Sequence, residues 1–414
     1  GSMPIEYKKL ANETKYILNE FRAYSKFIQY DFIDPSAIKN EEYKISLQEE
    51  LYKKGITPIP ERNYSKNKIE EFLIFPGIIA TYKSKENNIS LIDETLMNNR
   101  ELVIENSIEK LEYRIINSIR ELQISKKQTI GLLHGHGETI NQFISSFRKV
   151  ANEYYSIEDI SINAQLASLR NVDCLIINNP TKYISEKDKF IIDQFVMRGG
   201  KIIWILNGTN ANMDSLETQS ETIVLPRENI NLNDMLFKYG VRINSDLVQD
   251  VQAAPIPIIT HYVQDKPQWE FFPWEFFPVI NPNKGHIITH KIDPVKTVFP
   301  SSIDTIGNNI TKTILLQTSS YTRITKTPAL INLESLKTKP DKNEFNSGSK
   351  NISILLSGYF ESVFKNRISP KISDNQDIKF KEQSVNNKMI IISDGFFLNN
   401  QFFKGNALPL GLDK

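Results

Sequence analysis

The sequence predicts an α/β protein: a small α/β module followed by a larger domain with a doubly wound parallel sheet. Three observations carry this expectation. Thr129–Leu133, Val172–Ile177 and Lys201–Leu206 are near-continuous apolar runs, as strands buried on both faces require. Amphipathic helical patterns lie between them, the alternation that builds parallel sheets through crossover connections. At 414 residues the chain exceeds one small domain, and the polar break Ser125-Lys126-Lys127 divides it.

Gly1-Ser2-Met3 reads as an expression scar, so the first module spans residues 4–125 and the second 126–414. In the first, Leu10, Ile17, Leu18 and Phe21 fall on one helical face. Phe27–Ile33 reads as a strand closed by Asp34-Pro35, and a polar helix over 41–54 stops at Gly55. Two strand-like runs follow, 71–79 and 81–92, the second folded back at Lys85–Asn88. Ile104, Ile108, Leu111, Ile115, Ile119 and Leu122 then predict one long helix. The order α-β-α-β-β-α matches a thioredoxin-like layer whose first strand precedes the chain.

The second module opens on a strand that ends in His134-Gly135-His136-Gly137-Glu138. Thr139 with Gln142 forms a capping-box pattern for a helix carrying Ile140, Phe143, Ile144, Phe147, Val150, Ala151 and Tyr154. Ser185 with Asp188 opens a further helix that Gly199-Gly200 ends, and Leu232–Tyr239 forms another, stopped by Gly240. Near 251–300 the pattern becomes an irregular lobe rich in proline and aromatics. The later runs 313–317, 352–356 and 389–392 extend the sheet or build a lobe on it, and 337–350 and 370–387 read as solvated loops.

Fifty basic and 49 acidic residues, scattered without a basic stripe, argue against nucleic acid as a partner. A single cysteine, Cys174, excludes internal disulfides and Cys-based zinc sites. There is no phosphate-binding G-x-x-x-x-G-K-[ST] motif for nucleotide hydrolysis, no cofactor motif, and no apolar run long enough to span a membrane. The chain begins on a helix and stops at Leu408–Lys414 without a terminating element, so both ends are expected to be cut.

Strand-to-helix loops at the carboxyl ends of parallel strands are where such folds bind ligands. In an extended loop, His134, His136 and Glu138 would share one face, and two histidines with a carboxylate can hold a metal. The structural alternative is that Gly135 and Gly137 permit a tight turn, with Glu138 at the positive end of the following helix. Loop amides binding an anion or a neutral ligand such as a sugar are a third reading. The sheet order resembles the class I glutamine amidotransferase-like fold, whose nucleophile follows the strand equivalent to Lys201–Leu206. Here that turn is Asn207-Gly208-Thr209; an amide is no nucleophile, and Cys174 lies within a buried strand. Asn207 joins the loop as a candidate ligand contact. Trp269, Phe271, Phe272, Trp274, Phe276 and Phe277, within Trp-Glu-Phe-Phe-Pro repeated twice, are the candidate partner-binding residues, with core packing as the alternative.

Gly131–Glu138 resembles the entry strand and loop of the ABC-transporter auxiliary domain family, itself related to an amidotransferase-like domain of an intraflagellar transport protein. Phe21–Tyr24, Phe237–Val241, Trp274–Pro278, Leu315–Tyr321 and Leu408–Gly411 are similar, in order, to its gliding-motility-associated, non-ATPase members. The resemblance implies a non-catalytic periplasmic region held between two inner-membrane helices. It implies an ABC permease subunit and a cytoplasmic ATPase subunit as partners, in gliding motility and type IX secretion. Binding of a protein, an envelope or sugar ligand, or a second copy as a homodimer is the expected work. A metal- or sugar-dependent enzyme, or a solute-binding component, using the His134–Glu138 loop is the alternative.

Overall fold

The computed structural model describes residues 3–65, 68–92, 100–139, 141–219, 221–227, 230–264, 266–337, 341–369, 375, 378–403, 406–408 and 410. The chain forms two compact units, Gly1–Lys127 and Gln128–Lys414.

In the first unit, helix α1 (Ile5–Tyr24) buries Tyr7 and Leu10. Helix α2 (Glu41–Lys53) is capped by the Asn40 side chain and followed by Gly55 at φ +78°, the left-handed stop its glycine predicts. Strands β1 (Ile59–Ser65) and β2 (Lys68–Ile74) form one hairpin, β3 (Gly77–Tyr82) and β4 (Lys85–Ser90) another. The expected run 71–79 is split at Pro76, which has no N–H to continue a ladder. The second hairpin turns at Lys83-Ser84, not at Lys85–Asn88. Phe27–Ile33 is not a strand: Phe27 and Ile33 are exposed, so the run buries no alternating face. Among the described residues the strands pair as two separate hairpins and not as the single mixed layer of a thioredoxin-like module. The predicted long helix is two, α3 (Arg100–Glu109) and α4 (Leu111–Gln123), broken at Lys110. Val103, Ile104, Leu111 and Ile115 from both enter the core with Tyr7 and Leu10.

The second unit begins with β5 (Thr129–His134), α5 (Ser145–Tyr154), β6 (Ser156–Ser161), β7 (Cys174–Asn178), α6 (Glu186–Met197) and β8 (Lys201–Ile205). It continues with α7 (Met213–Gln219), β9 (Glu221–Val224), α8 (Asn233–Tyr239), β10 (Val241–Ile243) and β11 (Asp246–Asp250). Two long strands, β12 (Ala253–Val263) and β13 (Lys266–Ile280), precede β14 (Val295–Lys296), β15 (Ile303–Thr305), β16 (Thr311–Gln317), β17 (Thr322–Lys326) and β18 (Ala329–Asn332). Last come β19 (Asn351–Glu361), β20 (Gln383–Ile392) and the short pair β21 (Phe402–Phe403) and β22 (Asn406–Ala407).

A central sheet takes the order β10-β15-β19-β20-β8-β7-β5-β6, with β16 also on β19. The five strands β6, β5, β7, β8 and β20 are parallel, in the flavodoxin-like order 2-1-3-4-5. Beyond β20 the additions are antiparallel, so the three late apolar runs extend this sheet as β16, β19 and β20. Alternation along each strand divides two cores. Ile177, Trp204 and Ile391 face α6 and α8, whereas Leu132, Ile176, Ile205 and Ile392 face Ile144 and Phe147. Ser185 caps α6 by accepting from the Asp188 N–H at 3.1 Å, and Gly240 at φ +110° ends α8.

Three expectations change here. Ile140 lies outside the described residues, and the Thr139–Gln142 box does not open α5, which starts at Ser145 after a 3-10 turn over Asn141–Ile144. The Thr139 N–H instead donates to Asn178 O, tying the segment to β7. The region read as an irregular lobe holds β12 and β13, of 11 and 15 residues. Of the two loops read as solvated, 383–387 belongs to β20, while 338–340, 370–374 and 376–377 lie outside the described residues.

Candidate functional site

The stretch His134–Glu138 leaves the carboxyl end of β5, next to the end of β7. That is the point where the strand order reverses and where such sheets bind ligands. Gly135 (φ +118°) and Gly137 (φ +78°) turn the backbone sharply, so the loop is not extended and its side chains diverge. At Gly137 a Cβ would meet Thr181 Oγ1 at 2.2 Å, while at Gly135 it would meet nothing within 4 Å. The carbonyl of His136 accepts from the N–H groups of Thr181 (2.9 Å) and Lys182 (2.7 Å), which latches the loop onto the segment after β7.

His134 points to β6, where its Nε2 lies 2.8 Å from Asp159 Oδ1, an oxygen that also takes Arg148 Nη1 at 2.7 Å. Partial burial pushes Asp159 up, but Arg148 and His134 outweigh it and hold the carboxyl below the usual carboxylate range. His136 turns inward and is buried between two carboxylates. Its Nδ1 lies 3.1 Å from Glu138 Oε1 and its Nε2 3.2 Å from Asp188 Oδ2. The Glu138 bond raises the imidazole above its ordinary value, burial opposes this, and Asp188 adds to the rise. Burial would raise Asp188, yet bonds from the Ala164 N–H (2.8 Å), His136 and Ser185 together hold it low. Each ring nitrogen of the buried imidazole thus faces a carboxyl group, an arrangement that favours its protonated form.

Glu138 also accepts the His136 N–H at 2.8 Å, so it binds inside its own loop and does not sit at a helix start. That carboxylate occupies an amide an anion would need. Among the described residues no group of three or more His, Cys, Asp or Glu side chains converges as metal ligands. The sequence brought His134, His136 and Glu138 together; the structure joins only His136 to Glu138.

Asn207, after β8, is buried, and its Oδ1 accepts from the Gly395 N–H at 2.6 Å. Sequence reasoning missed its neighbours. Asn178 ends β7 and Asn179 follows it; Asn179 Oδ1 accepts from Arg227, whose guanidinium burial pushes down. Asn178 is 4% exposed with neither amide atom bonded, and Asn207 Nδ2 also lacks a partner. Unsatisfied buried amides are costly and mark polar space at this carboxyl edge. The one signal in the sequence was the doublet Asn178-Asn179 closing an apolar strand. Cys174 is half-buried, and burial pushes its thiol up to about 11, far from the thiolate a nucleophile needs. A groove of about 1050 Å³ lies elsewhere, on the antiparallel half, with Lys238, Arg242, Asp246 and Asp304 in its walls. None of the loop residues or Asn207 lines it.

The aromatic repeat divides in two. Trp274, Phe276 and Phe277 are buried in a core with Phe299, ring centroids 5.1 to 5.4 Å from Trp274. Pairing slips from Ala253–Pro278 to Pro255–Pro273, and the slack in β13 lets these rings fold inward. Phe272 is half-buried, while Trp269 and Phe271 are 54% and 59% exposed.

Among solved structures, the chain is similar to the mmIFT52 N-terminal domain, at 15% identity over 66% of this chain and 90% of that one, with a TM-score of 0.38. It is also similar to the exo-beta-1,4-mannosidase Op5Man5 from Opitutaceae bacterium strain TAV5, at 10% identity over 74% of this chain and 37% of that one, with a TM-score of 0.22. No curated protein matches. Residues 1–81 match a domain of unknown function. Residues 127–414, which hold the whole candidate site, match the auxiliary-domain family described as ABC-type uncharacterized transport system, and the chain belongs to that family.

Proposed function

We propose that this protein is a non-catalytic accessory subunit of an ABC-type complex, of the gliding-motility-associated GldG type, and works by binding. In this reading it is the periplasmic region of a subunit anchored in the inner membrane by spans outside this sequence. Its partners are the permease and cytoplasmic ATPase subunits, in gliding motility and type IX secretion. The family match over 127–414 is the observation that carries the reading. Three features support it: the loop histidines engaged by carboxylates, the amide of Asn207 at the nucleophile position, and the protonated Cys174. Crosslinking in cells followed by mass spectrometry tests it; recovery of the permease and ATPase is expected, and recovery of no ABC component refutes it.

The unpartnered amide of Asn178 and the unpartnered Nδ2 of Asn207 favour a second reading, in which the carboxyl edge holds a small neutral polar ligand such as a sugar. A ligand well above its dissociation constant raises the melting temperature, by an amount set by mass action. A panel of cell-wall sugars that leaves the melting temperature unmoved sinks this reading and leaves the first intact.

A further inference from the structure

Among the described residues, the ribbon of β12 and β13 has one face without a charged side chain, on which the Tyr262 hydroxyl is the one polar side-chain group. Paired residues point the same way: Pro257 faces Phe271, Ile259 faces Trp269, and Tyr262 faces Pro267 across a bulge. All six are exposed, with Ile259 at 38%, Trp269 at 54%, Phe271 at 59% and Tyr262 at 65%. The opposite face turns Ile256 and Ile258 to the core and carries Gln268 and Glu270 farther out. With roughly 150–250 Å² per large aromatic, the outer face exposes on the order of 600 Å² of apolar surface. That equals or exceeds the largest patch on a typical monomer, about 300–600 Å².

The prolines decide how this surface can be covered. Residues two apart on a strand share both a face and an N–H direction. Pro255 and Pro257 on one strand, and Pro267 and Pro273 on the other, keep the ladder only where the missing N–H would point outward. Each outer edge therefore has gaps in its row of donors, leaving only the N–H groups of Ile259 on one strand and of Trp269 and Phe271 on the other, which disfavours addition of a further strand along this exposed part of the ribbon. Face-to-face packing remains.

We propose that this face is a homotypic interface, covered by the same face of a second copy of this chain. A partner must be flat, apolar and free of charge, since nothing on the face compensates an ionised group. A second copy of this chain brings the same surface. Two copies together bury about 1,200 Å², the lower bound for a specific interface. A two-fold axis makes the contact isologous and closes it at a dimer. This inference does not rest on the accessory role.

Sedimentation equilibrium of the 414-residue chain tests it. A reversible dimer is expected, and the double substitution Trp269→Glu/Phe271→Glu weakens it by about 100-fold or more, as loss of central aromatic anchors does. At concentrations where both proteins are monomeric the melting temperature stays unchanged, because both side chains are exposed, whereas at higher concentration the wild type gains stability from dimerisation that the variant lacks. As a second arm, Trp269→Cys gives a dimer with a short bis-maleimide, whereas Ile287→Cys, 91% exposed elsewhere, does not. A monomer at every concentration, or a dimer indifferent to the double substitution, overturns the proposal. So does a chain that is monomeric in solution and floats with phosphatidylethanolamine/phosphatidylglycerol vesicles until the aromatics are removed; that result assigns the face to lipid.

Discussion

Replacement of His136 by alanine is the most informative single perturbation of the loop. The imidazole is 7% exposed and bridges Glu138 and Asp188, themselves 8% and 9% exposed. His136→Ala leaves two carboxylates around an empty space with no cation between them. Breaking a buried pair from one side costs about 3–5 kcal/mol. Protonation of one carboxylate limits the loss, so about 3 kcal/mol is expected near pH 6. The pH dependence sharpens the test. The raised pKa of His136 means that its stabilisation is full below the ordinary imidazole value and is lost as pH rises through the folded value. The lowered pKa of Asp188 means that its stabilisation is present above the ordinary carboxylate value and is lost as pH falls through the folded value. The contribution of this pair to wild-type stability is therefore a plateau between the two. His136→Ala removes this alkaline limb, and the unpaired carboxylates make the variant gain stability relative to the wild type on acidification. Urea unfolding followed by tryptophan fluorescence reads this, since all three tryptophans, Trp204, Trp269 and Trp274, lie in the second unit. A variant within about 0.5 kcal/mol of wild type, with an unchanged pH profile, would refute the bridging role.

The loop glycines separate space from strain: Gly135→Ala is expected to cost about 1 kcal/mol for its positive φ, and Gly137→Ala about 3 kcal/mol because Thr181 must also move. Equal losses in urea titrations would contradict this. In the aromatic repeat, Trp274→Ala should cost about 4 kcal/mol by emptying a packed core, and Trp269→Ala about 0.5 kcal/mol or less. Cys174, with its thiol pushed up to about 11, should resist maleimide at neutral pH until the chain unfolds; rapid stoichiometric labelling of native protein would count against its burial.

The parallel strands were legible because burial on both faces leaves a continuous apolar run, as in Leu175–Ile177 and Ile202–Ile205. Local stop and start chemistry was legible too: the Ser185 cap and the glycines at 55 and 240 act as the sequence suggests. What failed depended on distant partners. Asp188 was read as a helix start, yet its carboxylate also holds His136, 52 residues away. Thr139 looked like a cap but its N–H serves β7. In the ribbon, Pro267, Trp269, Phe271 and Pro273 repeat every second residue, the period of a strand. The prolines masked that period, because the edge on which a missing N–H falls is not visible until the pairing is known.

The neighbour of β8 in the parallel sheet is β20, yet β8 ends at Ile205 and β20 begins at Gln383. A ribosome delivering this chain releases β5 to β8 long before their closing strand exists. Until then the Lys201–Ile205 edge presents unpaired backbone groups to every other nascent chain nearby. Messages truncated before residue 383 should therefore yield aggregates and not a smaller folded domain, and a holding chaperone gains its longest opportunity on this segment.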